Sequence, residues 1–192
     1  MKKDIILAGV GGQGILSIAS VIDSAALSLN YNVKQAEVHG MSRRGGAVQS
    51  HLRISSNEIF SDLIGLKQAD LIISVEPMES LRYLPFLAED GWVITSKDCF
   101  KNVPNYPDEA ELFAQIDTLP KKVVVDAEAL AREAGSAKAS NIVMLGAAAP
   151  FLGISVEAFK AAIEAIFATK GQKIVDMNIR AFEAGLACSA GK

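Results

Sequence analysis

The feature that most constrains this chain is Gly9-Val10-Gly11-Gly12-Gln13-Gly14, a glycine-rich turn between an apolar run and an apolar-periodic segment. Before it, Ile5-Ile6-Leu7-Ala8 is a short apolar run closed by glycines, the pattern of a strand covered on both faces of a parallel sheet. After it, Ile15, Ile18, Ile22, Ala26 and Leu29 recur at helical spacing, and Asn30 reads as a helix stop. Glycines let another group approach the backbone, and a helix N-terminus offers unpaired N–H groups with a partial positive charge. The glycines match dinucleotide-binding turns in spacing, and Glu37 stands near the end of the next strand, where such folds place an acidic residue. The same spacing equally serves a turn that packs strand on helix and holds nothing.

Residues 33–38 read as a second strand, but His39-Gly40-Met41-Ser42-Arg43-Arg44-Gly45-Gly46 is loop chemistry where a simple βαβ repeat would start its crossover helix. From residue 47 to 55 side chains alternate, with Val48, Ser50, Leu52 and Ile54 on one face and Gln49, His51 and Arg53 on the other, so a hairpin excursion follows the second strand. Strands are also expected over residues 71–75, 92–95 and 123–125. Pro77 suits the first position of a helix whose apolar side is Met78, Leu81 and Leu84 or Pro85, with Gly91 closing the segment. A short helix is expected over 108–116, and further helices over 127–133, 141–151, 155–167 and 172–186. Strands alternating with helices predict one α/β domain over residues 1–192, a Rossmann-like open, mostly parallel sheet with flanking helices.

Composition removes several function classes. A net charge of -3 gives no general attraction to nucleic acid or acidic membranes, so any anion site must be local. Two cysteines, Cys99 and Cys188, lack the paired spacing of zinc or cluster ligands and read as reduced, packed thiols, which points to a cytoplasmic protein with no metal. The start is too short in apolar residues for a signal peptide, and the longest apolar stretch, 142–154, is interrupted by Gly146, Pro150 and Gly153, so no membrane span is expected.

Arg43 and Arg44, held between Gly40 and Gly45-Gly46, read either as guanidiniums aimed at a carboxylate or phosphate, or as an ion-paired loop or subunit contact. His39 and His51 have no metal-ligand spacing and read as structural or hydrogen-bonding groups. Glu76, at the end of a strand, either faces the ligand edge of the sheet or caps the helix opened by Pro77. No nucleophile elbow, Walker lysine or paired-histidine zinc motif is present.

Together, the Gly-Val-Gly-Gly-Gln-Gly turn and the run Glu37-Val38-His39-Gly40-Met41-Ser42-Arg43-Arg44-Gly45-Gly46, leading into Val48-Gln49-Ser50-His51-Leu52-Arg53, resemble the gamma-type domain of 2-oxoacid:ferredoxin oxidoreductases. Within that family they look like the beta subunits of indolepyruvate ferredoxin oxidoreductases. Residues 69–73, 76–85, Asn141 and Leu145-Gly146-Ala147 extend the likeness. The resemblance implies a thiamine-diphosphate enzyme that oxidatively decarboxylates an aryl 2-oxoacid to its acyl-CoA and passes electrons through iron-sulfur clusters to ferredoxin. This chain has neither the family's Gly-Asp-Gly motif nor a cluster cysteine set, so the resemblance implies that a larger alpha subunit holds both cofactors. By the same resemblance this chain would complete the active complex and shape substrate or CoA access with the Gly11 to Gly14 turn and the Arg43-Arg44 loop. That leaves Gly9, Gly11, Gly12, Gln13 and Gly14 as the candidate ligand loop and His39, Ser42, Arg43, Arg44, Gly45 and Gly46 as the candidate anion or subunit contact. Two other functions stay open: a free-standing NAD(P)-binding protein, and a purely structural partner subunit.

Overall fold

A computed structural model describes residues 1–39 and 45–192, with only the backbone described at His39. Strands β1 (Lys2–Val10), β2 (Asn32–His39), β3 (Ala47–Ser55), β4 (Ala69–Ser74), β5 (Leu87–Ser96) and β6 (Lys122–Val125) form one sheet in the order β2-β3-β1-β4-β5-β6. β1, β4, β5 and β6 run parallel, whereas β3 is antiparallel to both β1 and β2. The hairpin therefore wedges its return strand between β1 and β2. Its register is held by Asp4 of β1, 1% exposed, which lies opposite Arg53 and accepts from its Nε at 2.7 Å. The Arg53 Nη1 reaches on to the carbonyls of Ser61 and Leu63 and so ties down the loop that follows.

Strand alternation sends Ile5, Leu7, Leu52, Ile54, Leu71, Ile73 and Ile94 into the larger core and Ile6, Ile72 and Val93 into a smaller one. The larger core lies under α1 (Ile15–Ser28), α4 (Ala127–Ala134), α5 (Ser140–Leu152), α6 (Val156–Phe167) and α7 (Gln172–Cys188). On the opposite face are α2 (Pro77–Arg82), α3 (Glu109–Asp117) and the 56–68 loop. There His51, 4% exposed, accepts the Ile64 N–H on Nδ1 at 3.0 Å and meets the Phe86 ring edge-on, and its pKa is lowered by burial. This is the hydrogen-bonding role expected of it.

Helix α5 is apolar all round because it is enclosed all round, and every residue from Asn141 to Ala149 is buried. It crosses α7 with backbones almost touching. A Cβ on Gly146 would collide with the Phe182 carbonyl oxygen and stand 2.9 Å from the Leu186 nitrogen, and one on Gly185 would collide with the Val143 carbonyl. Ser189 seals the end of this crossing by donating to the Ala147 carbonyl at 2.6 Å.

The expected boundary at Gly91 is corrected. α2 ends at Arg82, a 3-10 turn covers Leu84–Phe86, and Gly91 lies inside β5, opposite an irregularity in the β4–β5 register between Ala69 and Leu71. A Cβ there would stand 2.5 Å from Leu87 Cδ1 and 3.0 Å from the Ala69 carbonyl, so the glycine serves a bulged strand, not a helix stop.

Asp23 of α1 presents a carboxylate oxygen that is buried with no hydrogen-bond partner among the described residues, and burial raises its pKa to about 6. A raised carboxyl pKa means that the folded protein holds the proton more tightly than the unfolded chain. Its cost is absent below about pH 4, grows as pH rises to about 6 and is constant above that. Asp23→Asn is accordingly expected to stabilise the chain by about 1 kcal/mol at pH 7.5, after allowing for partial solvation, and to have no effect at pH 4. Urea unfolding at the two pH values measures it.

Candidate functional site

The glycine turn is built from inside by Gln13. Its Oε1 accepts the Val10 N–H at 2.8 Å, while its own N–H donates to the Val10 carbonyl at 3.1 Å. Gln13 therefore closes the loop on itself. The glycines divide the remaining work. A Cβ on Gly9 would collide with the Val75 side chain at the end of β4, so this glycine lets β1 and the β4 end pack closely. Gly14 is the N-cap of α1 at φ 81°, and a Cβ there would lie 2.5 Å from Asn141 Nδ2, which donates to the Gly14 carbonyl at 3.1 Å. Asn141, at the start of α5, thus braces the turn from the helical side. Gly12 differs: at φ 102° its missing side chain would meet nothing within 4 Å among the described residues. Among the described residues nothing covers this side of its backbone, as close approach by a ligand or partner requires.

The two sequence motifs meet here. Gly11 N–H donates to the Gly46 carbonyl at 2.9 Å and Gly45 N–H to the Gly11 carbonyl at 3.3 Å, so the far end of the second motif is laced to the turn. A cleft of about 450 Å³ opens beside them, with Val10, Gly11, Gly12, Leu16, Glu37 and Val48 in its lining. Ser42, Arg43 and Arg44, together with Gly40, Met41 and the His39 side chain, lie outside the described residues.

Glu76 is fully buried and takes the cap role of the two foreseen for it. Its Oε2 accepts the Glu79 N–H at 2.9 Å at the start of α2, and its Oε1 accepts from Phe100 N–H at 3.3 Å and from the Tyr106 hydroxyl. Burial and this bond to Glu76 push the Tyr106 pKa upward, which keeps the phenol a donor. The 97–106 segment pinned in this way delivers Asn102, whose Nδ2 donates to the Gly45 carbonyl at 2.6 Å. Nothing in the sequence singled out Asn102 or Tyr106, because their partners lie 57 and 30 residues away.

Cys99 and Cys188 are half-buried free thiols, and burial pushes both pKa values up. Among the described residues no group of three or more His, Cys, Asp or Glu could hold a metal ion, so the described residues do not fit an iron-sulfur cluster. No helix among them is long and apolar enough to cross a membrane.

An open, mostly parallel α/β sheet with an antiparallel insertion at β3 and a glycine turn laced to Gly45-Gly46 places the chain among Rossmann-like α/β domains. Residues 4–188 match the pyruvate ferredoxin/flavodoxin oxidoreductase family, and the chain belongs to that family as a gamma/beta-type subunit. It is 37% identical over 197 residues to the indolepyruvate oxidoreductase subunit IorB of Thermococcus kodakarensis, covering 97% of this chain and 96% of that one. Its fold is similar to the pyruvate oxidoreductase subunit PORC of Thermotoga maritima, with a TM-score of 0.74 and 24% identity over 97% of this chain and 96% of that one. It also superposes on part of the 2-oxoglutarate:ferredoxin oxidoreductase of Magnetococcus marinus, with a TM-score of 0.76 and 19% identity over 98% of this chain and 31% of that one.

Proposed function

We propose that this chain is the small subunit of an indolepyruvate or aryl pyruvate:ferredoxin oxidoreductase, and that a larger alpha subunit supplies thiamine diphosphate and the iron-sulfur clusters. The observation that carries this is the end-to-end match to an indolepyruvate oxidoreductase subunit in a chain whose described residues offer no metal-holding group. The complex would take a 2-oxoacid and CoA to carbon dioxide and an acyl-CoA, with two electrons leaving to ferredoxin. The bound cofactor supplies the decarboxylation chemistry. This chain would supply the surface of the Gly11 to Gly14 turn, with the open backbone at Gly12, against which the partner's substrate or CoA channel closes.

The NAD(P) reading is weakened by the sheet order. A dinucleotide fold places the ribose-binding acid one strand from the glycine turn, whereas here β3 intervenes and Glu37 stands two strand spacings away, about 10 Å.

The test is reconstitution. The chain purified alone is expected to carry no iron or thiamine diphosphate and to show no turnover. With its co-expressed larger partner it should support indolepyruvate- and CoA-dependent reduction of ferredoxin. Turnover by the lone chain, or no change in the partner's activity on adding it, would sink the proposal.

A further inference from the structure

Beyond the glycine turn, a second cleft of about 560 Å³ lies between the first turn of α1, the 135–140 segment and the N-terminal end of α7. Among the described residues its lining contains Lys138, Lys170, Lys173 and Arg180 and no carboxylate. None of these four is in an ion pair among the described residues, in a chain whose net charge is -3. All four are solvent-exposed, and four like charges around one hollow make it locally positive, so an anion entering it would be attracted.

Two of the four are already held in place. The Arg180 guanidinium donates from Nε and Nη2 to the Ala134 carbonyl at 3.2 and 3.0 Å, and Lys170 Nζ sits 5.2 Å from the centre of the Phe167 ring. Asn141 and Asn178 complete the wall as neutral groups whose amide nitrogens are held by the Gly14 and Ile174 carbonyls, so the charge at the cleft comes from the four cations. The volume is that of a small-molecule site and exceeds what a lone phosphate needs.

We infer that this cleft binds a small molecule bearing two or more phosphate groups, with Lys138, Lys170, Lys173 and Arg180 meeting its charge. The shared chemistry is the pyrophosphate, and it could belong to a free polyphosphate or to a nucleotide. The inference rests on these residues and not on the oxidoreductase reading.

Calorimetric titration of the full chain with inorganic pyrophosphate and with ADP, at low and at physiological salt, tests it. Pyrophosphate is expected to bind with Kd on the order of 10–100 μM at low salt. Binding should weaken at least tenfold in a Lys170→Gln/Lys173→Gln variant, and by a smaller factor in Lys138→Gln. Lys34→Gln, on the edge strand β2, serves as the charge control and should leave it unchanged. Tighter binding of ADP would identify a nucleotide as the source, and equal binding a free polyphosphate. No saturable binding of either probe, or equal weakening in Lys34→Gln, would overturn the site. Circular dichroism and thermal midpoints verify that each variant is folded.

Discussion

Gly146→Ala is expected to destabilise the chain by about 3 kcal/mol and to lower its thermal midpoint by roughly 6–12 °C. The reason is steric. The added Cβ falls on the carbonyl oxygen of Phe182 in the backbone of α7, and no rotamer change can move a backbone atom aside. α5 and α7 would have to separate, opening voids between helices whose facing residues, among them Val143, Ala147, Ala181 and Phe182, are all buried. Gly185→Ala meets the Val143 carbonyl from the other side and is expected to cost a similar amount. Because both changes force the same separation, the double variant should cost less than the two single costs added together. Urea unfolding of the three variants measures both claims. A change below 1 kcal/mol in Gly146→Ala would mean that the two helices are not packed this closely.

Glu76→Ala is the second large effect, expected at about 3 kcal/mol. It removes from a fully buried position the acceptor shared by the Glu79 and Phe100 N–H groups and the Tyr106 hydroxyl, and leaves the buried Glu79 N–H without a partner. Glu76→Gln should cost less. Its one carbonyl oxygen can keep the Glu79 N–H while its amide donates to the Tyr106 oxygen, which leaves Phe100 N–H as the main orphan. The effect should also travel: with the 97–106 segment unpinned, Asn102 loses its fixed position on the Gly45 carbonyl, and amide exchange at Phe100 and Gly45 should speed up more than exchange in β1. Equal protection of these amides in wild type and Glu76→Ala would contradict this account of Glu76.

These two residues show why reading the chain alone reached the site only in part. Glu76 was visible as a strand-end acid before Pro77, and its bond to the Glu79 N–H is a local matter three residues long. Its other partners, Phe100 and Tyr106, are 24 and 30 residues away in a segment with no periodic pattern. The glycine turn was readable because its cause is local too: φ of 102° at Gly12 and 81° at Gly14 are conformations that glycine adopts without strain. What could not be read was that Gln13 is consumed in closing the turn, and that Asn141, 127 residues from Gly14, braces it. Gly91 was misplaced for the same kind of reason, since a glycine after an apolar stretch marks a helix end or a bulge with equal force until the neighbouring strand is in place.

The order of strands and helices, the two-faced burial of β1 and β4, the hairpin after β2 and the family resemblance all follow from residue order, because apolar period, turn residues and backbone preference act over a few residues. The insertion of β3 between β1 and β2, the backbone contact of Gly146 with α7, and the gathering of Lys138, Lys170, Lys173 and Arg180 around one cleft were decided by the tertiary structure. Each depends on which distant surfaces are pressed together, and burial is a property of the assembled core and not of any one segment.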